Sequence, residues 1–283
     1  MSTDIEWTDE TWNPVTGCTK VSPGCDHCYA ERVTERWSGK GSFEKVVLHP
    51  ERLGKPLHWR NPRKVFVNSM SDLFHEDVPA AFITEVFAVM SLAPQHTFQI
   101  LTKRHGRMRT LLSRDDFEPT VREVAYDLKY GDGNSNPCMN DRNYQTWPLP
   151  NVWLGVSVED QKWADIRIPI LVRTPAAVRF LSCEPLLGRV DIRGALGFTY
   201  DDRASGERVS VPAVDWVIVG GESGPGSRAM SAGLALSIRD QCVKARVPFL
   251  FKQWGGITPK AGGRLLDGRT WDEYPQTLTA ATS

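Results

Sequence analysis

The feature that most constrains the fold is an alternation of short apolar runs with helix-like segments. Apolar runs occur at 64–72, 97–104, 151–160, 177–185, 214–224 and 247–255, and a shorter run at 10–15 would make seven. Apolar residues with helical periodicity follow three of them, at 79–93, 161–173 and 231–245. Because such alternation is typical of a parallel sheet covered by helices, we predict an α/β fold. The predicted fold is a partial (β/α) barrel of six to seven parallel strands, in one domain spanning 1–283.

Two segments interrupt this alternation. Residues 113–150 are charged and then rich in Gly, Asn and Pro, and residues 193–213 are polar and predict a hairpin around the sequence ASGE. Each could cover a site or be a surface insertion. No Gly-x-Gly-x-x-Gly follows the first strand, which argues against a dinucleotide-binding fold.

The charge balance and the apolar pattern narrow the function classes. Lys plus Arg and Asp plus Glu both number 34, so the formal net charge is zero. This argues against a general polyanion binder, although a local basic patch remains compatible with it. No apolar run approaches the roughly 18 residues of a membrane span, and the first ten residues lack the basic and apolar blocks of a signal peptide. We therefore expect a cytoplasmic protein that does not enter a membrane.

Each of the six longer predicted strands becomes polar at its C-terminal end. These ends are NSMSD, TKR, SVED, SCEP, GGESG and KQWG. In barrels and open α/β sheets the carboxyl ends of the strands converge on the active site. We therefore expect these polar residues to surround one opening.

Three cysteines lie within eleven residues, as C-x6-C-x2-C: Cys18, Cys25 and Cys28. They follow the first predicted strand and precede a helix-like segment, which places them at the same opening. A tight cluster in a cytosolic chain is more often metal-binding or catalytic than disulfide-bonded. Thiolates select zinc, copper(I) or iron–sulfur clusters.

The number of thiols distinguishes these metals. A structural zinc site needs a fourth ligand, which His49, His58 or His75 could supply. A [4Fe–4S] cluster held by three cysteines leaves one iron open to a small molecule. The sequence favours the cluster, with zinc or no metal as the alternatives.

The segment CDHCYA resembles the second half of the radical S-adenosylmethionine (SAM) motif, C-x3-C-x-Φ-C. Cys25 and Cys28 match its last two cysteines, and His27 holds the usually aromatic position. Six residues separate Cys18 from Cys25, where the common motif has three. Longer segments are similar to the phage-type three-Cys-motif proteins, which occur in phages and bacteria and are radical SAM-like: WNPVTGCTKVSPGCDHCYAE, WLGVSVE, CEPLLG, VIVGGESGPG and PFLFKQWG.

The resemblance implies a partial (β/α)6 barrel, a [4Fe–4S] cluster, SAM and an electron donor. SAM would chelate the open iron through its amino and carboxylate groups, and an electron from the cluster would cleave it to a 5′-deoxyadenosyl radical. GGESG resembles the radical SAM GGE motif, although that motif normally follows the second strand. The residues assigned to SAM binding are His27, Asn68, Ser69, Asp72, Lys103, Gly220, Gly221 and Glu222.

The other strand ends supply candidates for substrate binding and catalysis. Basic side chains at a strand end could bind phosphate, so Arg104 and Arg107, with Lys252 and Gln253 of the last strand, are predicted to bind substrate. Glu159 and Glu184 could act as acid or base, and Cys183 could donate a hydrogen atom.

Together these features predict a radical SAM-type enzyme that acts on a nucleic-acid base or nucleotide. Support for this substrate comes from the phage association and from the basic residues. One alternative is a zinc-binding nucleic-acid module. Another is a catalytically silent iron–sulfur barrel that docks a partner protein encoded nearby.

Overall fold

The computed structural model describes residues 3, 5–131, 146–197, 199–201, 208–210, 213–258 and 260–276. Its strands are β1 (Glu10–Trp12), β2 (Val15–Thr16), β3 (Val47–Leu48), β4 (Lys64–Val67), β5 (Thr97–Thr102), β6 (Val152–Ser157), β7 (Val178–Cys183), β8 (Thr199–Asp201), β9 (Arg208–Ser210), β10 (Trp216–Gly220) and β11 (Phe249–Gln253). Its α-helices are α1 (Tyr29–Ser38), α2 (Ala80–Leu92), α3 (His105–Leu112), α4 (Phe117–Tyr130), α5 (Gln161–Val172) and α6 (Ala232–Ala245).

Seven parallel strands form one sheet in the order β1-β4-β5-β6-β7-β10-β11. The sheet curls into a half-barrel flanked by helices, which confirms the predicted fold class. Each sheet strand lies inside the apolar run that predicted it, and the short run at 10–15 contains β1. All neighbouring strands are parallel, so all seven carboxyl ends lie at one rim. The strand order in the sheet follows the order along the chain.

Side chains alternate between the two faces of the sheet, as the twofold period of a strand requires. On β6, Leu154 and Val156 point into the core between the sheet and the helices, whereas Trp153 points to the inner face. The inner face carries a second cluster, made of Trp7, Phe66, Trp153, Phe180, Trp216, Ile218 and Leu250. This cluster fills the base of the half-barrel and leaves the rim to polar residues.

Part of the first predicted insertion is a helix of the core. Helix α4 buries Phe117, Val121 and Ala125 against the core that contains α2. The charged residues between these positions concealed the apolar stripe. Cys138 belongs to the same predicted insertion and lies outside the described residues.

The second predicted insertion contains the antiparallel pair β8–β9, which agrees with the hairpin expected there. Across the described ranges, the chain has no helix of the length and apolar character needed to cross a membrane.

Candidate functional site

A cavity of about 960 Å³ opens at the carboxyl ends of the parallel strands. It contains most of the residues that the sequence analysis assigned to a site. Those lining it are Cys18, Cys25, His27, Cys28, Asn68, Ser69, Asp72, Lys103, Arg104, Glu184, Gly221, Glu222, Lys252 and Gln253. The half-barrel therefore brings together residues from the cysteine loop and from five strand ends.

Four predicted residues lie outside the cavity lining. Cys183 packs in the core between sheet and helices, where burial raises the pKa of its thiol well above the usual range. Arg107 donates to the carbonyl oxygens of His75 and Val78. Gly220 lies behind the Glu184 side chain, and Glu159 is fully buried.

The cysteines of the loop after β1 are free thiols that are partly exposed in the cavity. Burial, the largest cause, and the Asp72 carboxylate raise the pKa of Cys18 to about 11, although Arg104 lowers it. Burial also raises the pKa of Cys28. Within the described part of the chain, no three His, Cys, Asp or Glu side chains converge closely enough to hold a metal ion. The thiols share one cavity wall without forming an assembled ligand set.

The donor set fits an iron–sulfur cluster in chemical type. It consists of soft thiols, which prefer iron–sulfur centres, zinc or copper(I) to hard cations. Burial outweighs the positive charges of Arg104 and Lys103, which lower the pKa values of Cys18 and Cys28, respectively, so both thiols keep raised pKa values. Two of the three candidate zinc-binding imidazoles are hydrogen-bonded to threonines, His49 to Thr16 and His75 to Thr19. The third, His58, is exposed.

Arg104 connects the end of β5 to the cysteine loop. It donates to Cys18 Sγ at 3.4 Å and to Thr19 Oγ1 at 2.8 Å, and it pairs with Asp72 at 3.4 Å. Asp72 also accepts from Thr102 Oγ1 at 2.7 Å and from the backbone N–H of Lys103 at 3.0 Å. Asp72 therefore holds Arg104 in place, and Arg104 holds the first cysteine.

Glu159 lies beneath the cysteine loop. Its Oε2 accepts from Arg167 Nη1 at 2.8 Å and its Oε1 accepts from Ser22 Oγ at 2.5 Å. Glu159 and Arg167 are fully buried, and the Arg167 guanidinium stacks on the Trp163 ring at 4.1 Å. Lys103 is within 3.8 Å of the same carboxylate. With its oxygens engaged and no exposed surface, Glu159 is placed to support the loop.

Glu222 forms an ion pair with Arg228. The carboxylate accepts from the backbone N–H of Arg228 at 2.8 Å, from its Nε at 3.0 Å and from its Nη2 at 2.5 Å. Burial raises the pKa of Glu222, but these contacts outweigh burial and leave the pKa below its usual value. Arg228 Nη2 also donates to the carbonyl oxygen of Pro23 at 2.8 Å, which ties β10 to the cysteine loop.

Each glycine of GGESG makes room for a neighbouring group. A Cβ on Gly220 would lie 2.6 Å from Glu184 Oε1, one on Gly221 would overlap the Trp254 carbonyl, and one on Gly224 would overlap the Arg32 guanidinium. Gly224 also has a φ of +111°, which favours glycine. The motif thus packs β10 closely against its neighbours, whichever ligand the cavity holds.

Glu184 and Lys252 form an ion pair on the cavity wall. Lys252 Nζ lies 3.0 Å from Glu184 Oε1, and Ser182 Oγ donates to Glu184 Oε2 at 3.1 Å. Both charged side chains remain partly exposed to the cavity. They offer an acceptor and a donor, side by side, to a polar ligand.

Comparison with known families gives one match. The family described as "Protein of unknown function (DUF5131)" matches residues 2–275. The chain belongs to this family. No curated protein and no solved structure matches the chain.

In this member of DUF5131, sequence reasoning missed several residues that shape the site. Arg167 supports the cysteine loop through Glu159, which is eight residues away. Three others, Ser22, Arg32 and Arg228, bind partners that lie far away in sequence. Their partners depend on how the strands are ordered, so no local pattern could have identified them. A weaker signal existed for Gly24, since a glycine directly before a cluster cysteine indicates a close approach of the backbone.

Proposed function

We propose that the protein is a radical SAM-type enzyme that holds a [4Fe–4S] cluster through Cys18, Cys25 and Cys28. SAM would bind in the same cavity, and the substrate would be a nucleic-acid base or nucleotide. The observation that supports the proposal is the position of the three free thiols. They lie on the loop after β1, in a cavity at the carboxyl ends of a parallel half-barrel, where α/β proteins place catalytic sites.

When bound, the cluster would supply the electron that cleaves SAM. The residues of this chain would bind and orient the reactants. Arg104 and Lys103 would offset the negative charge of the thiolates, and the aromatic base of the half-barrel would exclude water from below.

Two amide groups in the cavity wall support binding of a polar small molecule. The side chains of Asn68 and Gln253 are 2% and 4% exposed. Among the described residues, Asn68 Nδ2 and Gln253 Oε1 lack a hydrogen-bond partner. Buried polar atoms are normally paired, so one unsatisfied donor and one unsatisfied acceptor in the wall of a cavity indicate a ligand with matching groups.

A nucleobase or nucleotide suits the remainder of the wall. Trp7 and Phe66 contribute aromatic surface at the inner face, on which a flat ring can stack. Lys252 and Lys103 supply cations that phosphate groups prefer, and Glu184 supplies an acceptor for the N–H groups of a base. Arg107 is engaged with backbone carbonyls and is left out of this proposal.

Anaerobic reconstitution of the full chain tests the proposal. We expect about four irons per chain, brown colour and an electron paramagnetic resonance signal on reduction, since three thiolates hold a [4Fe–4S] cluster. Cys18→Ala, Cys25→Ala and Cys28→Ala should each lose most of the iron. Cys138→Ala and Cys242→Ala are the matched controls and should retain it.

The alternatives give different results in the same experiment. A colourless protein that binds one zinc would indicate the zinc-binding module. A cluster-loaded protein that neither binds nor cleaves SAM would indicate the silent barrel. Iron retained in all three loop variants would contradict the proposed ligands.

A further inference from the structure

We infer that Glu159 and Glu222 are positioning residues, which hold the turn before Cys25 so that the three thiols can close on one metal centre. The inference rests on the proposed function and extends it to residues outside the ligand set. It assigns to both carboxylates a role other than acid–base catalysis or SAM binding. It also accounts for the six residues between Cys18 and Cys25.

The first anchor acts through Ser22. Its hydroxyl donates to Glu159 Oε1 at 2.5 Å, and its carbonyl oxygen accepts from the backbone N–H of Cys25 at 2.8 Å. One residue therefore links the buried carboxylate directly to the backbone of the second cysteine. Arg167 holds that carboxylate in position, because it donates to Glu159 Oε2 and to the Ser157 carbonyl oxygen, both at 2.8 Å.

Gly24 shows how closely the turn lies over this anchor. A Cβ on Gly24 would be 2.5 Å from Glu159 Oε1 and 2.6 Å from Glu159 Cγ. The carboxylate and its partner Arg167 are both fully buried, so a Cβ at this position would have to displace a buried ion pair or the turn itself. Because Gly24 directly precedes Cys25, any displacement of the turn passes to that thiol.

The second anchor acts through Arg228. Glu222 holds the guanidinium and backbone of Arg228 through three hydrogen bonds. Arg228 in turn donates to the Pro23 carbonyl oxygen at 2.8 Å and to Asp26 Oδ2 at 3.3 Å. The turn is thus held from the end of β6 by one carboxylate and from the end of β10 by the other.

This arrangement gives the long spacing a physical reason. With only three residues between Cys18 and Cys25, the chain would be too short for Ser22, Pro23 and Gly24 to reach the ends of β6 and β10. Residues 19–24 form the bridge that carries the chain over Glu159 and past Arg228. The sheet therefore sets the position of Cys25, while Arg104 sets that of Cys18.

The test uses the full chain in metal-free form, with Ser22→Ala, Ser22→Thr and Gly24→Ala. Gly106→Ala is the matched control, because a Cβ there meets no atom within 4 Å. The rate at which iodoacetamide alkylates Cys25 is measured by peptide mass spectrometry, and iron content is measured after reconstitution. Circular dichroism confirms that each variant is folded.

We expect Cys25 in Ser22→Ala and Gly24→Ala to be alkylated about three- to tenfold faster, the scale of the net contribution of one ordinary hydrogen bond. These variants should also lose at least half of the iron bound by the unmodified protein. Ser22→Thr keeps the hydroxyl and should recover most of both properties. Unchanged alkylation and iron content in Ser22→Ala and Gly24→Ala would overturn the inference for Glu159.

Glu222→Gln separates the two roles considered for that residue. A positioning role predicts faster alkylation of Cys25 and loss of iron, with unchanged SAM affinity per loaded cluster. Full iron content with weakened SAM binding, measured by calorimetry, would overturn the inference for Glu222 and return it to the SAM site. If the unmodified protein binds no iron, the proposed function fails, whereas the alkylation rates still test the positioning of the turn.

Discussion

At the residue scale, Arg104 is the clearest link between sheet and site. Its guanidinium contacts Cys18, Thr19 and Asp72, and its side chain is 10% exposed. Its neighbour Asp72 accepts from three other groups as well. A charged side chain held this firmly acts as part of the scaffold of the cysteine loop.

Replacing Arg104 with methionine should therefore destabilise the protein and remove the hydrogen bond that positions Cys18. Methionine keeps most of the length and removes the charge, leaving the buried Asp72 carboxylate without its ion pair. We expect a loss of about 1–3 kcal/mol in the free energy of unfolding, the cost of breaking a buried hydrogen bond to a charged group. Urea denaturation measures this loss. Arg60→Met, at an exposed position, is the control, and an equal effect in both would refute the assignment.

At the scale of elements, the inner face of the sheet depends on a small residue opposite a large one. Gly155 of β6 pairs in register with Phe180 of β7, and a Cβ on Gly155 would overlap the Phe180 ring. Phe180 is fully buried beside Trp7 and Trp216. The absence of a side chain at 155 allows the aromatic cluster to fill the half-barrel.

Gly155→Ala should consequently destabilise the fold by about 1–3 kcal/mol, the usual cost of overpacking a core. The added methyl group forces a fully buried ring to move. Chemical denaturation of the variant gives the magnitude. Gly54→Ala adds the same group where no atom lies within 4 Å and should change stability little. If Gly155→Ala left the free energy of unfolding unchanged, the Phe180 ring would have room to shift.

At the scale of the whole molecule, stability should depend on pH through buried histidines. His96 is 1% exposed and its Nε2 lies 3.2 Å from the Pro56 carbonyl oxygen. Burial, the largest cause, lowers the pKa of His96 below its ordinary 6.5, and the charge of Arg63 lowers it further. Burial likewise lowers the pKa of His75.

The sign of the effect follows from the lowered pKa. Below pH 6.5 the unfolded chain takes up a proton at His96 that the folded chain does not, so the free energy of unfolding falls as pH decreases from 7 to 5. One such proton contributes up to about 1.4 kcal/mol per pH unit. His96→Gln should reduce the slope of stability against pH, measured by urea denaturation at several pH values. An unchanged slope would show that His96 is protonated in the folded state.

Local patterns in the sequence were sufficient for the seven sheet strands, for helices α2, α5 and α6, and for the order of these elements along the chain. The apolar run at 97–104 contains β5 and the helical period at 79–93 contains α2, because both periods arise within a few adjacent residues. The polar strand ends also predicted that their side chains would surround one cavity, since parallel strands share one rim. Helix α4 was missed because charged residues masked its apolar stripe.

Pairing of the site residues was decided only by the tertiary structure. Ser22 and Glu159 are 137 residues apart, and Arg228 and Pro23 are 205 apart. The sequence analysis assigned Glu159 to acid–base catalysis and Glu222 to SAM binding, although a carboxylate at a strand end has the same chemistry whichever partner it meets. The partners of Glu159 and Glu222 are determined by the curl of the sheet and the path of the cysteine loop. Both the curl and the path depend on contacts between segments that are distant in the chain.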